Sequence, residues 1–137
     1  MRLDFEIWEH TADVGIRLAR RSRPQLFCDA GLAMFRLMIP EGDFTAASKE
    51  FLRIKGDDDE QLMVNWLSAL NYLFQTRQFV PVVIKVKMTE RLLTAELLGD
   101  TFDPQRHQAT TEIKAVTYHM LQVQRQKGWS AQILFDI

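Results

Sequence analysis

Apolar and polar residues alternate in several parts of the chain, a pattern typical of strands with one buried face. Near the N-terminus, Phe5 and Ile7 alternate with acidic residues, and Val14, Ile16 and Leu18 follow the same period. Further alternation predicts strands over 50–56, 82–89, 93–97, 115–123 and 129–136. A short polar segment at 90–91 joins the second and third of these, and one near Lys127 and Gly128 joins the last two, which favours two hairpins. Residues 99–110 are polar and predict a loop between the hairpins.

Two segments carry apolar residues at spacings of three and four, which predicts amphipathic helices. The first begins with Ser22 as its N-cap and ends before Pro40. The second follows the acidic run 57–60, which supplies an N-cap and complements the helix dipole. We expect Phe27 and Trp66, on the apolar rows of these helices, to lie in the core.

The order of the elements, ββ-α-β-α-ββ-ββ, predicts an α+β fold in which two helices cover a mostly antiparallel β-sheet. With 137 residues, 47% of them hydrophobic, the chain fits a single domain over 1–137. Lys and Arg total 17 against 18 Asp and Glu. This near-neutral balance argues against autonomous binding of nucleic acid, because that binding depends on neutralising phosphates.

Several classes of protein are disfavoured by what the sequence lacks. The single Cys28 excludes an internal disulfide and a multi-cysteine zinc site, and we expect it to be buried and inert. No apolar run approaches the roughly 20 residues that span a bilayer. The N-terminal residues lack the apolar segment of a secretory signal. We therefore expect a cytoplasmic protein that does not interact with membranes.

Two aspartates are candidates for chemistry. Asp13 opens the second predicted strand, and Asp136 lies in the apolar end of the last one. Taken separately, Asp13 is typical of a strand end that satisfies backbone amides, and Asp136 of a solvated strand end. Periodicity alone does not bring them together. If they meet, two carboxylates and backbone carbonyls form a hard-oxygen site for calcium, magnesium or manganese.

The other candidates are histidines and one lysine. The three histidines, His10, His107 and His119, share no short zinc-ligand spacing, and His119 is expected to hydrogen-bond locally. Lys114 precedes a strand, where its ammonium group can lie in solvent, meet a carboxylate or meet an anionic ligand of a partner. The sequence contains no Gly-rich phosphate loop, nucleophile elbow or His-Glu-x-x-His motif.

Taken together, several segments resemble the signatures of the archease family. They are HTADVGI at 10–16, the acid and paired apolar residues of 58–67, the loop 99–107, IKAVTYH at 113–119 and LFDI at 134–137. These segments occur in the family's order and cover nearly the whole chain. One departure is Met63, which stands where the family usually has Leu, a tolerated apolar exchange.

The resemblance implies a non-catalytic accessory protein of an RtcB-type RNA ligase, the enzyme that joins RNA ends in tRNA splicing and RNA repair. Such a protein promotes guanylylation of the ligase and permits multiple turnover. The resemblance also implies that Asp13, Asp136 and the main chain of Ile137 bind a divalent cation. The cation is calcium in family structures, with magnesium or manganese as alternatives.

The partner contacts follow from the same resemblance. His10, Lys114 and His119 lie in the two longer signatures and are the candidate partner-facing residues, while RNA is expected to be contacted mainly through the ligase. A second hypothesis is a chaperone-like modulator of an RNA-modifying enzyme such as a tRNA methyltransferase. A third, a free-standing metal hydrolase, is disfavoured because no general base or nucleophile stands out beside the carboxylates.

Overall fold

The computed structural model describes residues 3–9 and 12–137, whose strands form two antiparallel sheets. The elements in chain order are β1 (Glu6–Glu9), β2 (Asp13–Arg20), α1 (Arg23–Met38), β3 (Ser48–Lys55), α2 (Asp59–Arg77), β4 (Phe79–Met88), β5 (Leu92–Thr101), β6 (Ala115–Val116), β7 (Gln122–Arg125) and β8 (Trp129–Asp136). The first sheet has the order β1-β2-β8-β6, with β7 also paired to β8. The second has the order β3-β5-β4. The α+β fold with antiparallel pairing is therefore confirmed, although its strands divide between two sheets.

Both helices contact strands of both sheets. Helix α1 packs against β2 and β8 of the first sheet and against β4 of the second, and α2 packs against strands of each. The core forms around the helices, and Phe27 and Trp66 are fully buried as predicted. The indole N–H of Trp66 donates to the carbonyl of Phe27 at 2.8 Å, which satisfies the one polar group of that side chain. Neither helix in the described ranges is long and apolar enough to cross a bilayer.

The helix boundaries follow the capping residues. The hydroxyl of Ser22 accepts from the backbone N–H of Gln25 at 3.3 Å, and the carboxylate of Asp58 accepts from that of Gln61 at 2.8 Å. Both predicted N-termini are therefore confirmed. Helix α2 ends where Gln78 adopts a left-handed conformation with φ of 56°.

The strand predicted over 115–123 is wrong in its middle part. The structure has two short strands there, β6 and β7, and a turn between them. In that turn the backbone N–H of Leu121 donates to the carbonyl of Tyr118 at 3.2 Å, and Met120 has φ of 56°. A left-handed residue ends a ladder, and sequence reasoning missed the turn because it contains no glycine or proline.

Cys28 is half-buried on α1, and its thiol donates to the carbonyl of Ile84 at 3.3 Å. Burial, together with the neighbouring Asp29, raises the pKa of the Cys28 thiol to about 12. The group therefore stays protonated near neutral pH, which agrees with the expectation of an inert cysteine.

Candidate functional site

Asp13 and Asp136 face each other directly across the β2–β8 pair. The backbone N–H of Ile137 donates to the carbonyl of Ala12 at 3.5 Å, so residues 12 and 137 occupy a hydrogen-bonded position of the ladder. The next position, which holds the two aspartates, is then a non-hydrogen-bonded one. Cα atoms in such a pair are about 4.5 Å apart and the two side chains leave the sheet on the same face.

The register of the two strands fixes this meeting. Ile16 pairs with Ile133, and both side chains are fully buried on the face that contacts the helices. Because successive side chains of a strand point to opposite faces, Asp13 and Asp136 lie on the outer face, three residues away from that pair. A slip of one residue would send both carboxylates into the core, so core packing also holds the carboxylates outside.

The backbone around Asp136 is held on both sides, while its side chain is exposed. On the side of β6, the backbone N–H of Lys114 donates to the carbonyl of Asp136 at 2.8 Å, and Ala115 is paired with it. Asp13 is half-buried, and 44% of Ile137 is exposed. Asp13 and Asp136, which we call the acid pair, therefore lie on a fixed backbone at an accessible corner of the first sheet.

The acid pair can supply two carboxylates and main-chain oxygens to one ion. Hard cations such as calcium and magnesium prefer these ligands, and water completes their coordination. Within residues 3–9 and 12–137, no group of three or more His, Cys, Asp and Glu side chains could hold a metal ion. The donors that Asp13, Asp136 and the main chain supply are all oxygens, which are the ligands of hard cations.

An ordered row of side chains adjoins the acid pair on the same outer face. Gly15 is paired with Trp8, and a Cβ at Gly15 would overlap the indole ring. The guanidinium of Arg17 lies 4.1 Å from the centre of the Trp8 ring and donates to Oε1 of Gln132 at 2.8 Å. Sequence reasoning missed this row, although a glycine inside an alternating strand signals such a close approach.

The other candidate residues have different positions. His10 lies outside the described residues. Lys114 is exposed and adjoins Asp136 through its backbone. A local hydrogen bond stays a prediction for His119, which is exposed in the turn between β6 and β7. Its neighbours Tyr118 and Met120 are 58% and 47% exposed, so the turn projects apolar surface.

His107 has a structural role. Its side chain is buried, its Nδ1 accepts from the backbone N–H of Asp103 at 3.0 Å, and its Nε2 lies 3.0 Å from the carbonyl of Asp43. These partners require the neutral tautomer with the proton on Nε2. The ring also stacks on Phe44 with centroids 4.0 Å apart. His107 thus fastens the loop after β5 to the loop before β3, and both ring nitrogens are occupied.

Comparison with known proteins assigns the family. A model of the Archease protein family (MTH1598/TM1083) matches residues 5–137. The chain belongs to the archease family. The archease of Methanosarcina barkeri is 35% identical over 139 residues, covering 97% of this chain and 95% of that protein. The archease of Pyrococcus furiosus is 31% identical, covering 97% and 98%.

Solved structures agree with the archease fold. The solution structure of protein 1598 of Methanobacterium thermoautotrophicum has a TM-score of 0.85 and 28% identity, covering 97% of this chain and 98% of that one. The crystal structure of an archease from Thermotoga maritima, described as a possible chaperone, has a TM-score of 0.57 and 20% identity and covers 100% and 98%. In the archease chain described here, the acids of the first and last signature segments are cross-strand neighbours.

Proposed function

We propose that this archease is a non-catalytic accessory protein of an RtcB-type RNA ligase, and that it acts in the cytoplasm in tRNA splicing or RNA repair. It promotes guanylylation of the ligase and permits multiple turnover. The observation that carries the proposal is the direct cross-strand pairing of Asp13 with Asp136 in a chain of the archease family. This pairing supports a divalent-cation site, which is the part of the proposal that mutation can test most directly.

In this proposal, the carboxylates of Asp13 and Asp136 and the main chain of Ile137 hold the cation, which is calcium, magnesium or manganese. A bound cation neutralises two carboxylates that otherwise repel each other. Asp13 begins β2, Asp136 ends β8 and Ile137 follows it, so a bound cation fixes the C-terminal residues against the neighbouring strand. The resulting rigid corner is the part of the protein that approaches the ligase.

The surroundings of the acid pair support a partner surface at this corner. Lys114 adds an exposed cation next to Asp136, and the turn with His119 adds exposed apolar side chains. Exposed aromatic and methionine side chains beside charged ones are typical of surfaces that bind proteins. We therefore retain Lys114 and His119, with His10, as the partner-facing residues.

Single-turnover formation of the ligase–guanylate intermediate, with and without the archease, tests the proposal. We expect Asp13→Asn and Asp136→Asn to abolish the stimulation, because each keeps the size of the side chain but removes a charged ligand. Glu41→Gln, which removes a carboxylate from an exposed loop, is the matched control and should stimulate normally. Folded aspartate variants that stimulate at the wild-type rate would refute the metal-site mechanism. A wild-type protein that fails to stimulate its cognate ligase would refute the function itself.

A second candidate is a chaperone-like modulator of an RNA-modifying enzyme such as a tRNA methyltransferase. The description of the Thermotoga maritima archease as a possible chaperone favours it. Affinity capture from the native cell distinguishes the two candidates. Recovery of the ligase supports the first, and recovery of a methyltransferase without the ligase supports the second. Turnover of an RNA or nucleotide substrate by the purified protein alone would instead indicate the hydrolase hypothesis.

A further inference from the structure

The second sheet has an outer face that points away from the helices. Leu93, Ala95 and Leu97 of β5 are buried on the inner face, so the alternate residues of the three strands are directed outward. We call this outer surface the basic face. Its residues are Lys49, Phe51, Arg53 and Lys55 of β3, Leu92, Thr94, Glu96 and Leu98 of β5, and Val83, Lys85 and Lys87 of β4.

The basic face concentrates positive charge in a chain that is nearly neutral. It carries five cations and one carboxylate, and four of the chain's six lysines lie on it, while the whole chain has a net charge of −1. The one carboxylate, Glu96, is partly neutralised because Nζ of Lys49 lies 3.6 Å from its Oε1. Positive charge is therefore concentrated on this face although the net charge of the chain is close to zero. The positive electrostatic potential of the face attracts anions.

Phe51 is the exposed aromatic residue of the basic face, with 68% of its surface accessible. It stands in a row with Glu96 and Lys85 across the three strands, and Nζ of Lys49 lies 5.9 Å from its ring centre. An exposed phenylalanine of this kind contributes little to the core. Its ring is available to stack against a planar group.

The row adjoins an open depression of about 580 Å³, whose lining includes Phe51, Arg53, Lys85, Lys87 and Thr94. An aromatic platform surrounded by cations is the arrangement with which proteins hold single-stranded nucleic acid, because bases stack on the ring while ammonium and guanidinium groups contact phosphates. An acidic protein surface would match the cations but leave the ring without a planar partner.

We infer that the basic face binds single-stranded RNA, with one base stacked on Phe51 and the neighbouring phosphates held by Arg53, Lys85 and Lys87. The choice of RNA rather than DNA rests on the proposed function, since the partner ligase joins RNA ends. The archease then contacts the RNA directly, in addition to the contacts that the ligase makes. This differs from the sequence-based expectation, because net charge does not reveal where the charges lie.

Fluorescence anisotropy with a labelled single-stranded RNA of about 12 nucleotides tests the inference on the full chain. Binding should weaken with salt, with a slope of log affinity against log salt of roughly −2, because about three phosphates are contacted. Phe51→Ala should weaken binding about 10-fold to 100-fold, while Phe51→Trp retains it. The double variant Lys85→Ala with Lys87→Ala should weaken binding and reduce the slope by about 1.4.

The matched control is Arg36→Ala with Arg125→Ala, which removes two exposed cations outside the basic face and should leave affinity unchanged. Because Phe51 and the lysines are exposed, circular dichroism should show folded variants. Absence of RNA binding, wild-type affinity in Phe51→Ala, or tighter binding of single-stranded DNA or anionic vesicles would overturn the inference. RNA binding is measured on the archease alone and guanylylation of the ligase is measured separately, so failure of the metal-site proposal and failure of this inference are distinguishable.

Discussion

Nε of Arg20 donates to Oδ2 of Asp29 at 2.5 Å, which joins the end of β2 to helix α1. Asp29 is 5% exposed, and Nε2 of Gln25 donates to its other carboxylate oxygen at 2.8 Å. Arg20 also donates to the carbonyl of Asp4 at 2.7 Å, which holds the segment before β1. β2 thus begins at the acid pair and ends at a buried ion pair that fixes the strand against the helix.

Removing the Asp29 carboxylate should destabilise the protein. We expect Asp29→Ala to lower the free energy of unfolding by about 3 kcal/mol, since Arg20 and Gln25 lose a partner and the guanidinium is only partly accessible to water. Urea denaturation measures the change. Glu112→Ala, which removes an exposed carboxylate, should stay within about 0.5 kcal/mol of the wild type. Equal stability of the two variants would show that the buried ion pair is not stabilising.

The core position of Trp66 predicts a graded loss of stability. Trp66→Ala should lower the free energy of unfolding by about 3–5 kcal/mol, because it empties a fully buried site. Trp66→Phe should cost less, as it keeps much of the apolar volume and loses only the indole hydrogen bond to the carbonyl of Phe27. Thermal denaturation of both variants measures whether Trp66→Ala loses more stability than Trp66→Phe. An unchanged melting temperature for Trp66→Ala would contradict the core assignment.

Local features of the sequence predicted the helices, their caps and the buried aromatic residues, because these depend on neighbours within a few positions. Ser22 and Asp58 cap as expected for that reason. Strand partners depend on contacts between distant residues, so the division into two sheets was not predictable. Periodicity placed Asp13 and Asp136 at strand ends, but only the β2–β8 register makes them neighbours.

The basic face was likewise predictable only in part from the sequence. The alternation at 82–89 places Lys85 and Lys87 on one side of their strand. Phe51 and Arg53 share that surface only because β5 lies between β3 and β4. The row of Trp8 over Gly15 likewise depends on the β1–β2 pairing, which the polar break between the strands leaves open. The pattern of a strand therefore predicts which of its residues share a face, but the strand pairing decides which residues of different strands lie together.

Asp100 should make stability depend on acid pH. The backbone N–H groups of Thr45 and Thr101 donate to its carboxylate at 2.9 and 2.8 Å, and they lower the pKa of Asp100 below the ordinary value of 3.8. Because the pKa is lower in the folded protein, the ionised carboxylate of Asp100 stabilises the fold. This stabilisation is complete above pH 3.8 and is lost as the pH falls through the folded-state pKa. Chemical denaturation at several pH values should show wild type more stable than Asp100→Asn near neutral pH.

The difference between wild type and Asp100→Asn should narrow as the pH falls below about 4, where the unfolded carboxylate begins to protonate. Glu112→Gln, at an exposed position outside the helices and strands, is the control for the general effect of removing one negative charge. A difference that widens toward acid pH would contradict the direction of the pKa shift. It would show that the two amides do not favour the charged form of Asp100.

The effect of removing a carboxylate of the acid pair on stability should depend on whether a divalent cation is bound. Without divalent cations, Asp136→Asn should be as stable as wild type or more stable, because like charges directly opposite each other on a sheet destabilise it. With calcium at about 100 times its dissociation constant, wild type should gain about 2.7 kcal/mol, and Asp13→Asn and Asp136→Asn should each gain much less. Thermal unfolding in a chelator and in calcium, magnesium or manganese measures both effects.

The cation that raises the melting temperature most is the preferred ion, and the melting temperature of Glu41→Gln should rise as that of wild type does. An equal shift in Asp136→Asn and wild type would place the bound cation elsewhere and remove the physical basis of the metal-site mechanism.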